Sequence, residues 1–303
     1  MNSPRVLVAG GTGRLGTLIV TALAARGADV RVLTRDRHRA AHLTSGHVEV
    51  TIGDVREPAS VVAAAANRDV VVSAVHGFAG PGGGSPESVD RDGNTQLFRA
   101  AHAAGAAVVL MSVVGAAPDS PFELFRMKHA AETALAAGSA PATVVRATAF
   151  LELWIEILDS TSGRAHRPVV FGRGRNPITF VSVRDVAALA TRVVLDPTTR
   201  GDTLEIGGPD DLTLSELARM VAARHGSSRG PRHAPRPALH VMASTIGRLR
   251  PELGRQARAA LAMDRYDMTY HADTHDARTR FPDLPLTSAV DVLRELPATR
   301  HPA

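Results

Sequence analysis

The chain has 303 residues, of which 44% are hydrophobic and 4% aromatic, and its formal net charge is +5. A chain of this length and apolar content can bury a sizeable core, which excludes a disordered protein. It contains no cysteine, which excludes disulfides, thiolate metal sites and cysteine nucleophiles and suits a cytoplasmic protein.

The apolar runs, the first residues of the chain and the net charge indicate which partners to expect. No apolar run reaches the ~18 residues of a membrane span, and the start MNSPRVLVAGG lacks a signal-peptide pattern. We therefore expect a cytoplasmic protein without membrane contact. No long basic run or nucleic-acid motif occurs, so the positive charge indicates a solvated surface or a site for an anionic cofactor. The sequence does not indicate an oligomeric state.

Short runs rich in Val and Leu alternate with helical stretches through the first half of the chain. Strands are predicted over residues 5–10, 29–34, 48–53, 69–75, 106–114 and 142–147, and helices over 14–26, 58–66, 87–104 and 122–137. Most strand runs are continuously apolar, as in strands buried on both faces of a parallel sheet. The alternation predicts an α/β fold with a doubly wound parallel sheet, a Rossmann fold, whose NAD(P)-binding domain occupies residues 1–150.

The second half is less regular. In chain order the sequence predicts a strand and then a helix over 177–194, a strand over 202–208, a helix over 213–226 that begins near Thr213 or Ser215, and helical segments to about 263. Residues 76–88 are Gly/Pro-rich and predict either a binding loop or an ordinary connection, and residues 227–237 predict a linker. We expect residues 151–303 to hold the remaining Rossmann elements and a small C-terminal substrate-binding region.

A glycine-rich loop joins the first predicted strand to the first predicted helix. In GGTGRLG, residues 10–16, the glycines fit both G-x-G-x-x-G and G-x-x-G-x-x-G. Such glycines allow a tight turn, close approach to a pyrophosphate and close packing of helix on strand, while the helix N-terminus attracts phosphates. We predict a dinucleotide site with contacts from Gly10, Thr12, Gly13, Arg14, Leu15 and Gly16.

The residues after the second strand indicate which dinucleotide binds. An NAD site usually has an acid there for the ribose 2′-OH, whereas this chain has Thr34 and Arg35. A cation suits a 2′-phosphate, so Arg35, aided by Arg14, predicts NADP(H). Asp36 follows directly, and an inward-turned Asp36 would favour NAD instead.

Two further strand ends are expected to contact the cofactor. Asp54, with Val55 beside it, is placed to accept a hydrogen bond from the adenine amino group. A helix N-cap or turn role is the alternative for Asp54. Ala74 and Val75 end the fourth strand, where the backbone would pass beside the adenine-side ribose.

Seven segments resemble the atypical short-chain dehydrogenase/reductases of the NmrA-like group. They are VLVAGGTGRLG, GDV, LMSVVGA, FRMKHAAETALAAG, TVVRATAF, ITFVSVRDVAALA and LEIGGPDDLTLSELA, which occur in order over about residues 5–225. The resemblance implies a Rossmann domain that usually binds NADP, with a variable C-terminal region over the nicotinamide.

Short-chain reductases use a Ser and a Tyr-x-x-x-Lys pair, and this chain departs from that pattern. Lys128 matches the lysine and Ser112 is nearest to the serine, but Leu124 occupies the tyrosine position. A proton for a reduced carbonyl would then come from water, a ribose hydroxyl, Ser112, His76 or a desolvated Lys128. The alternatives are a Lys128 that only binds ribose, a Ser112 that only bonds at a strand end, and a His76 without catalytic role.

The remaining candidates concern the substrate. Phe150 and Trp154 follow the sixth strand, where they either wall the substrate site or pack in the core. Tyr266 and Tyr270 could line a pocket, with surface packing as the default. The histidines are scattered without zinc spacing, so we expect no metal.

The sequence therefore predicts an NADPH-dependent reductase of a small organic carbonyl or quinone. Some ketoreductases of aromatic polyketides resemble this group and also lack the tyrosine, so the narrower hypothesis is ketoreduction in secondary metabolism, such as antibiotic biosynthesis. A non-catalytic NADP-binding redox sensor or regulator of NmrA type is the alternative. A sugar-nucleotide epimerase or dehydratase is the third hypothesis, against which Leu124 counts.

Overall fold

The computed structural model describes residues 3–43, 46–78 and 84–296. The chain divides into two compact units, which are described separately. The first unit takes the described residues up to Ala147, together with Arg184–Ile206 and Thr274–Leu284. The second unit takes Thr148–Val183, Gly207–Asp273 and the described residues from Pro285 onward.

Regular elements follow one another closely along the chain. The strands are β1 (Arg5–Ala9), β2 (Asp29–Thr34), β3 (Val48–Ile52), β4 (Val70–Ser73), β5 (Ala107–Val113), β6 (Ala142–Ala147), β7 (Ala149–Phe150), β8 (Val169–Phe171), β9 (Pro177–Val181), β10 (Thr203–Ile206), β11 (Asp210–Thr213) and β12 (Arg232–Ala234). The α-helices are α1 (Arg14–Ala24), α2 (Pro58–Ala65), α3 (Asn94–Ala103), α4 (Glu123–Ala136), α5 (Leu151–Ser160), α6 (Val183–Leu195), α7 (Leu214–Arg224), α8 (Arg236–Val241), α9 (Gly247–Leu249), α10 (Pro251–Met263), α11 (Ala277–Arg280) and α12 (Ala289–Glu295). The 3₁₀ segments are His38–Leu43 and Pro197–Thr199, and the π-helical segments are Pro86–Gly93 and Met242–Ile246.

A seven-stranded parallel sheet forms the centre of the first unit. Its strand order is β3-β2-β1-β4-β5-β6-β10. The order reverses between β1 and β4, and ligands of open α/β sheets bind outside the carboxyl ends of the strands at such a switch point. The predicted Rossmann fold is confirmed, and the six strands predicted before residue 150 all lie in this sheet.

The apolar strand runs are explained by burial on both faces. Leu7 and Ala9 of β1 belong to a core cluster with Val61 of α2 and Leu97 of α3. The alternate β1 side chains, such as Val8, are fully buried as well. A strand covered on both sides needs apolar residues at every position, which is why β1 does not alternate.

The predictions of irregular structure over residues 227–237 and 76–88 are wrong in part. Residues 227–237 are not simply a linker, because Arg232–Ala234 pair in parallel with β8 and α8 begins at Arg236. Within the predicted loop 76–88, residues 79–83 lie outside the described residues, and a π-helical segment begins at Pro86. Ser85 caps that segment through a reciprocal bond with Ser88, and the proline has no N–H that would be left unpaired there.

The second unit contains two small sheets and a helical region. The sheets have the orders β11-β9-β7 and β12-β8. Helix α7 begins as predicted at Thr213, whose side chain accepts from the Glu216 N–H while the Glu216 carboxylate accepts from the Thr213 N–H. This capping box satisfies two otherwise unpaired donors. In the described part of the chain, no helix combines the length and apolarity needed to cross a membrane.

Candidate active site

The glycine-rich loop closes tightly onto the end of β4. Gly10 has φ +83°, and a Cβ there would lie 2.5 Å from the carbonyl oxygen of Ala74. A Cβ on Gly16 would lie 2.2 Å from the carbonyl oxygen of Gly10. Both positions therefore require glycine, one for the turn and one for the packing of α1 against the loop.

The same loop has the geometry that a dinucleotide pyrophosphate needs. Gly13 is the N-cap of α1 and, having no side chain, leaves the first N–H groups of the helix without a side-chain cap. Such groups are the usual ligands of a pyrophosphate. Thr12 lies with its Oγ1 3.4 Å from Thr34 Oγ1, Leu15 is buried and Arg14 is exposed. The residues present fit the predicted cofactor.

Arginine side chains surround the end of β2. Arg35 is exposed there. The carboxylate of Asp36 accepts the His38 N–H at 2.8 Å and so belongs to the following 3₁₀ segment. Arg39 extends from that segment back to the loop, with Nη2 3.3 Å from the Thr12 carbonyl oxygen. Arg39 was missed from the sequence, because only the 3₁₀ segment brings it back towards the glycines.

Asp54 is engaged within its own turn. Its carboxylate accepts the Arg56 N–H at 2.9 Å and the Arg56 guanidinium at 2.6 Å. Hydrogen bonds from Arg56 lower the pKa of Asp54, and the charge of Arg35 lowers it further. The turn alternative thus has direct structural support, while the adenine contact of Asp54 stays a prediction. Val55 packs at Gly93, where a Cβ would lie 2.8 Å from its Cγ2.

Lys128 is buried between two oxygen atoms of the first unit. Its Nζ lies 3.0 Å from Asp90 Oδ1 and donates to the Val75 carbonyl oxygen at 3.1 Å. Lys128 is 4% exposed and Asp90 is fully buried. An ammonium group has three donors. The Val75 carbonyl oxygen takes one of them, whereas Asp90 Oδ1 pairs with the charge without hydrogen-bond geometry, so the group can still donate to a further acceptor such as a hydroxyl group. Val75, which directly follows Ala74, therefore contributes its backbone to this site.

Asp90 anchors that lysine to the end of β4. Its Oδ2 accepts the Gly77 N–H at 2.8 Å. The Asn94 side chain donates to the Asp90 carbonyl oxygen at 2.6 Å and accepts from the hydroxyl of Ser73 at 2.5 Å. Asp90 was missed because no local motif marks an ion pair that joins two helical segments far apart in sequence.

His76 lies next to this ion pair. His76 is exposed at the surface, yet the protein atoms that surround the imidazole lower the pKa of His76 by desolvation. Lys128 adds to that effect, whereas Asp90 opposes it. Its ring pairs with that of Phe78, with centroids 6.1 Å apart. At neutral pH the lowered pKa leaves His76 uncharged, which makes it a weaker proton donor than an imidazolium.

Ser112 belongs to a buried network of charges. Its hydroxyl donates to Glu132 Oε1 at 2.5 Å, and Glu132 also binds Arg146 with Nη2–Oε2 at 2.7 Å. Arg146 in turn pairs with Glu205 at 3.0 Å. Hydrogen bonds to Glu132 are the main cause that raises the pKa of Arg146. This geometry supports the strand-end role of Ser112, because its proton is already held by a carboxylate.

The tyrosine position lies in the first turn of α4. Leu124 there is half-buried, and it precedes Lys128 by four residues, so both lie on one helix face. The neighbouring Phe125 packs against Phe122 with ring centroids 4.7 Å apart. Neither Leu124 nor Phe125 carries a transferable proton.

The predicted substrate residues lie in the second unit. Phe150 is the N-cap of α5 and, like Trp154, is half-buried, whereas the fully buried side of the helix includes Ile155. Tyr266 is 42% exposed, and Tyr270 packs at Gly207, where a Cβ would lie 2.5 Å from its ring. Their contact with a substrate stays a prediction. Among the described residues, no group of three or more potential ligands could hold a metal ion.

Known proteins that resemble this chain include NAD(P)H-binding proteins, in agreement with the dinucleotide site predicted at the glycine-rich loop. A family model described as NAD(P)H-binding matches residues 10–197. The NAD(P)H azoreductase of Xenophilus azovorans is 27% identical over 73% of this chain and 74% of its own length. A photosystem II assembly factor of Synechocystis is 29% identical over 79% of this chain and 73% of its own.

The fold has solved counterparts as well. The NADPH-dependent quinone oxidoreductase of Escherichia coli, solved with NADPH, superimposes with a TM-score of 0.75 at 18% identity and covers 95% of this chain and 98% of its own. The family match spans more than half of the residues and includes the whole glycine loop. The chain belongs to the NAD(P)H-binding family, among the atypical short-chain dehydrogenase/reductases.

Proposed function

We propose that this protein is an NADPH-dependent reductase of quinones and similarly delocalised acceptors. One observation carries the proposal: the site offers Lys128 without a proton donor at the usual position, which Leu124 occupies. The Ser112 proton is engaged by Glu132, and His76 is uncharged at neutral pH because its pKa is lowered. The site is therefore suited to acceptors that need no proton from a side chain.

The choice of acceptor follows from the basicity of the reduced product. When bound, NADPH supplies a hydride. A quinone that gains a hydride becomes a phenolate-type anion, comparable with Tyr at a pKa of about 10, and water can protonate it after the transfer. A ketone becomes a much more basic alkoxide, for which a positioned general acid is worth about 10²–10⁴-fold in rate. A site without that acid thus favours quinones over ketones.

Lys128, Arg35 and Arg39 take the binding roles in this proposal. Lys128 donates to the Val75 carbonyl oxygen and pairs with Asp90, and it can still donate to a ribose hydroxyl. Arg35 and Arg39 stand at the end of β2, where a 2′-phosphate would bind, and Asp36 is occupied by His38. These contacts support NADPH over NADH. Relatives named as an azoreductase and a quinone oxidoreductase support the acceptor class.

A non-catalytic NADP-binding regulator is the second candidate. It is favoured by the similarity over 79% of this chain to a protein named as an assembly factor. Ketoreduction in secondary metabolism is the narrower enzymatic hypothesis, and the product-basicity argument counts against it. The cytoplasmic location and a small-molecule substrate, without nucleic-acid or membrane partners, stay predictions from the sequence.

The test measures the loss of NADPH absorbance with a panel of quinones, azo dyes and aromatic ketones, and NADH runs in parallel. We expect turnover with quinones and a rate with ketones that is lower by about 10²–10⁴-fold. The variant Leu124→Tyr restores a hydroxyl four residues before Lys128, so it should raise ketone reduction and leave quinone reduction nearly unchanged. Equal rates with ketones and quinones would refute the proposal. Tight NADPH binding without any oxidation would favour the regulator.

A further inference from the structure

A cavity of about 590 Å³ lies within the second unit. This volume falls in the range of small-molecule sites, about 300–1,000 Å³. The lining includes Arg173, Arg175, Arg219, His233, Ser215 and Glu216. Three guanidinium groups thus face the cavity together with one carboxylate, and neither the glycine loop nor Lys128 belongs to it.

Arg173 is a fixed part of the wall. Its Nε lies 3.1 Å from Asp264 Oδ2, and the N–H groups of Arg173 and Gly174 donate to Asp264 Oδ1 at 2.8 and 3.0 Å. The Asp264 side chain is fully buried. The pair stiffens the loop after β8. Because Asp264 Oδ2 also lies 3.6 Å from Arg236 Nε, this one carboxylate compensates the Arg173 charge only in part.

Arg175 and Arg219 supply the uncompensated charge. Both are exposed, and within the described ranges neither side chain makes a hydrogen bond or an ion pair. Arg219 acts on Glu216 through space and lowers its pKa slightly, behind the larger effect of hydrogen bonds from Thr213. Guanidinium groups match carboxylates and phosphates bidentately, so two such groups at one cavity indicate an anionic ligand.

The Glu216 carboxylate, which also lines the cavity, is compatible with an anionic ligand. Glu216 Oε2 accepts the Thr213 N–H at 2.8 Å and the Thr213 hydroxyl at 2.7 Å. It therefore serves as the cap of α7 and leaves the arginines unpaired. Because His233 Nδ1 lies 3.0 Å from the Gly172 carbonyl oxygen, and a carbonyl only accepts, Nδ1 carries the proton. Its Nε2 can therefore accept a hydrogen bond from a ligand hydroxyl.

We propose that this cavity binds a small molecule with at least two acidic groups, which are phosphates or carboxylates. Arg175 and Arg219 each hold one acidic group, and Arg173, held by Asp264, supplies further donors at the wall. None of the lining residues is one that the proposed reductase activity uses, so the proposal is tested separately from that activity.

The experiment is calorimetric titration of the NADP⁺-saturated protein with inorganic pyrophosphate, with citrate and with uncharged glycerol. Saturation keeps pyrophosphate away from the glycine loop. The variants are Arg175→Ala, Arg219→Ala and, as a matched control, Arg248→Ala, which removes an exposed arginine of α9 outside the cavity. Losing one charge-assisted contact should raise Kd about tenfold or more, whereas the control should match the wild type.

The two anions distinguish the ligand chemistry. Tighter binding of pyrophosphate indicates a phosphorylated ligand, and tighter binding of citrate indicates a carboxylated one. Both anions should bind more weakly in high salt, because screening acts on exposed charges. The proposal is overturned if neither anion binds at millimolar concentration, if glycerol binds equally well, or if Arg248→Ala weakens binding as much as the two cavity variants.

Discussion

Lys128 can position a ligand because its own position is fixed. Its Nζ donates to the Val75 carbonyl oxygen, which belongs to the strand end that faces the glycine loop, and it forms an ion pair with Asp90. Asp90 is held in turn by the Gly77 N–H. A rotation of the ammonium would leave the fully buried Asp90 carboxylate without compensation, and that is costly. The ammonium group is therefore held in place beside the end of β4.

Lys128→Ala is expected to weaken NADPH binding and to slow any turnover by at least about tenfold, because the ribose contact is lost. Removing one partner of a buried pair also lowers the free energy of unfolding, by about 3–5 kcal/mol. The double variant Lys128→Met/Asp90→Asn removes both charges and should recover most of that stability without recovering NADPH affinity. Fluorescence titration with NADPH and urea denaturation measure the two effects. Unchanged affinity in Lys128→Ala would remove Lys128 from the cofactor site.

The arginines after β2 should decide between the two nicotinamide cofactors. Arg35→Ala and Arg39→Ala are each expected to raise the Kd for NADPH about tenfold or more while leaving that for NADH unchanged, because only NADPH has a 2′-phosphate. The exposed Arg37 lies between them and provides the matched control, Arg37→Ala. A wild-type protein that binds NADH as tightly as NADPH would contradict this assignment and favour Asp36 as the ribose ligand.

At the scale of elements, charged side chains join strands β5, β6 and β10 to helix α4. Ser112 and Arg146 are register partners in β5 and β6, and Arg146 and Glu205 are partners in β6 and β10. Glu132 of α4 then bonds both Ser112 and Arg146. Strands β5, β6 and β10 are thus bonded to helix α4, which carries Lys128. The network therefore fixes the helix and, through it, the position of Lys128.

Arg146→Met is expected to lower the free energy of unfolding by about 3 kcal/mol, near the lower end for a broken buried pair, because the Arg146 side chain is 25% exposed. Arg5→Met is the control, since the Arg5–Asp69 pair is 48% and 44% exposed and solvent screens it. Urea denaturation compares the two variants. Equal losses in both variants would mean that the network stabilises the sheet no more than a surface ion pair.

Ser112→Ala separates the two roles open to this serine. If the hydroxyl only serves the network, the variant should lose about 1 kcal/mol of stability and keep its rate of quinone reduction. A serine that polarises the substrate would instead show a lower kcat at similar stability. Steady-state kinetics and urea denaturation of the same preparation measure both quantities.

The sequence predicted those elements and residues that a local sequence pattern determines. Continuous apolar runs located the strands of the large sheet. The glycine spacing and the match of Lys128 to the family's lysine gave the candidate site, whose cofactor contacts stay predictions. Asp90 and Glu132 were missed, because their partners come together only in the folded chain. A weak signal existed for Glu132, which follows Lys128 by four residues and so shares its helix face. Strand β12 was missed because glycine and proline surround a pairing of only three residues.

At the scale of the whole molecule, the described ionisable groups predict how stability depends on pH. Hydrogen bonds from Arg56 and Arg5 lower the pKa values of Asp54 and Asp69, and Arg192 lowers that of Asp283 to about 2. A lowered carboxyl pKa stabilises the folded state above the unfolded value, 3.8, and that stability is lost as pH falls towards the folded value. We expect the free energy of unfolding to fall below about pH 4, by a modest amount for each of these exposed pairs.

As pH falls, the titration of His76 should lower the free energy of unfolding before the carboxyl groups do. The surrounding protein lowers its pKa below the unfolded value of 6.5, so below that pH the unfolded chain binds a proton that the folded protein takes up less readily. Stability therefore decreases as pH falls from 6.5 to the folded pKa and then stays level until the carboxyl groups titrate.

His76→Gln should abolish the upper stage of this acid profile and preserve the lower one, because glutamine keeps a polar side chain but binds no proton. Urea denaturation at closely spaced pH values between about 7 and 3 measures both stages in the wild type and the variant. An upper stage that persists in His76→Gln would mean that another group causes it and that the imidazole is solvated in the folded protein. His76 would then be charged at mildly acidic pH and would return as a proton donor for the reduced acceptor, which would reopen ketones as substrates.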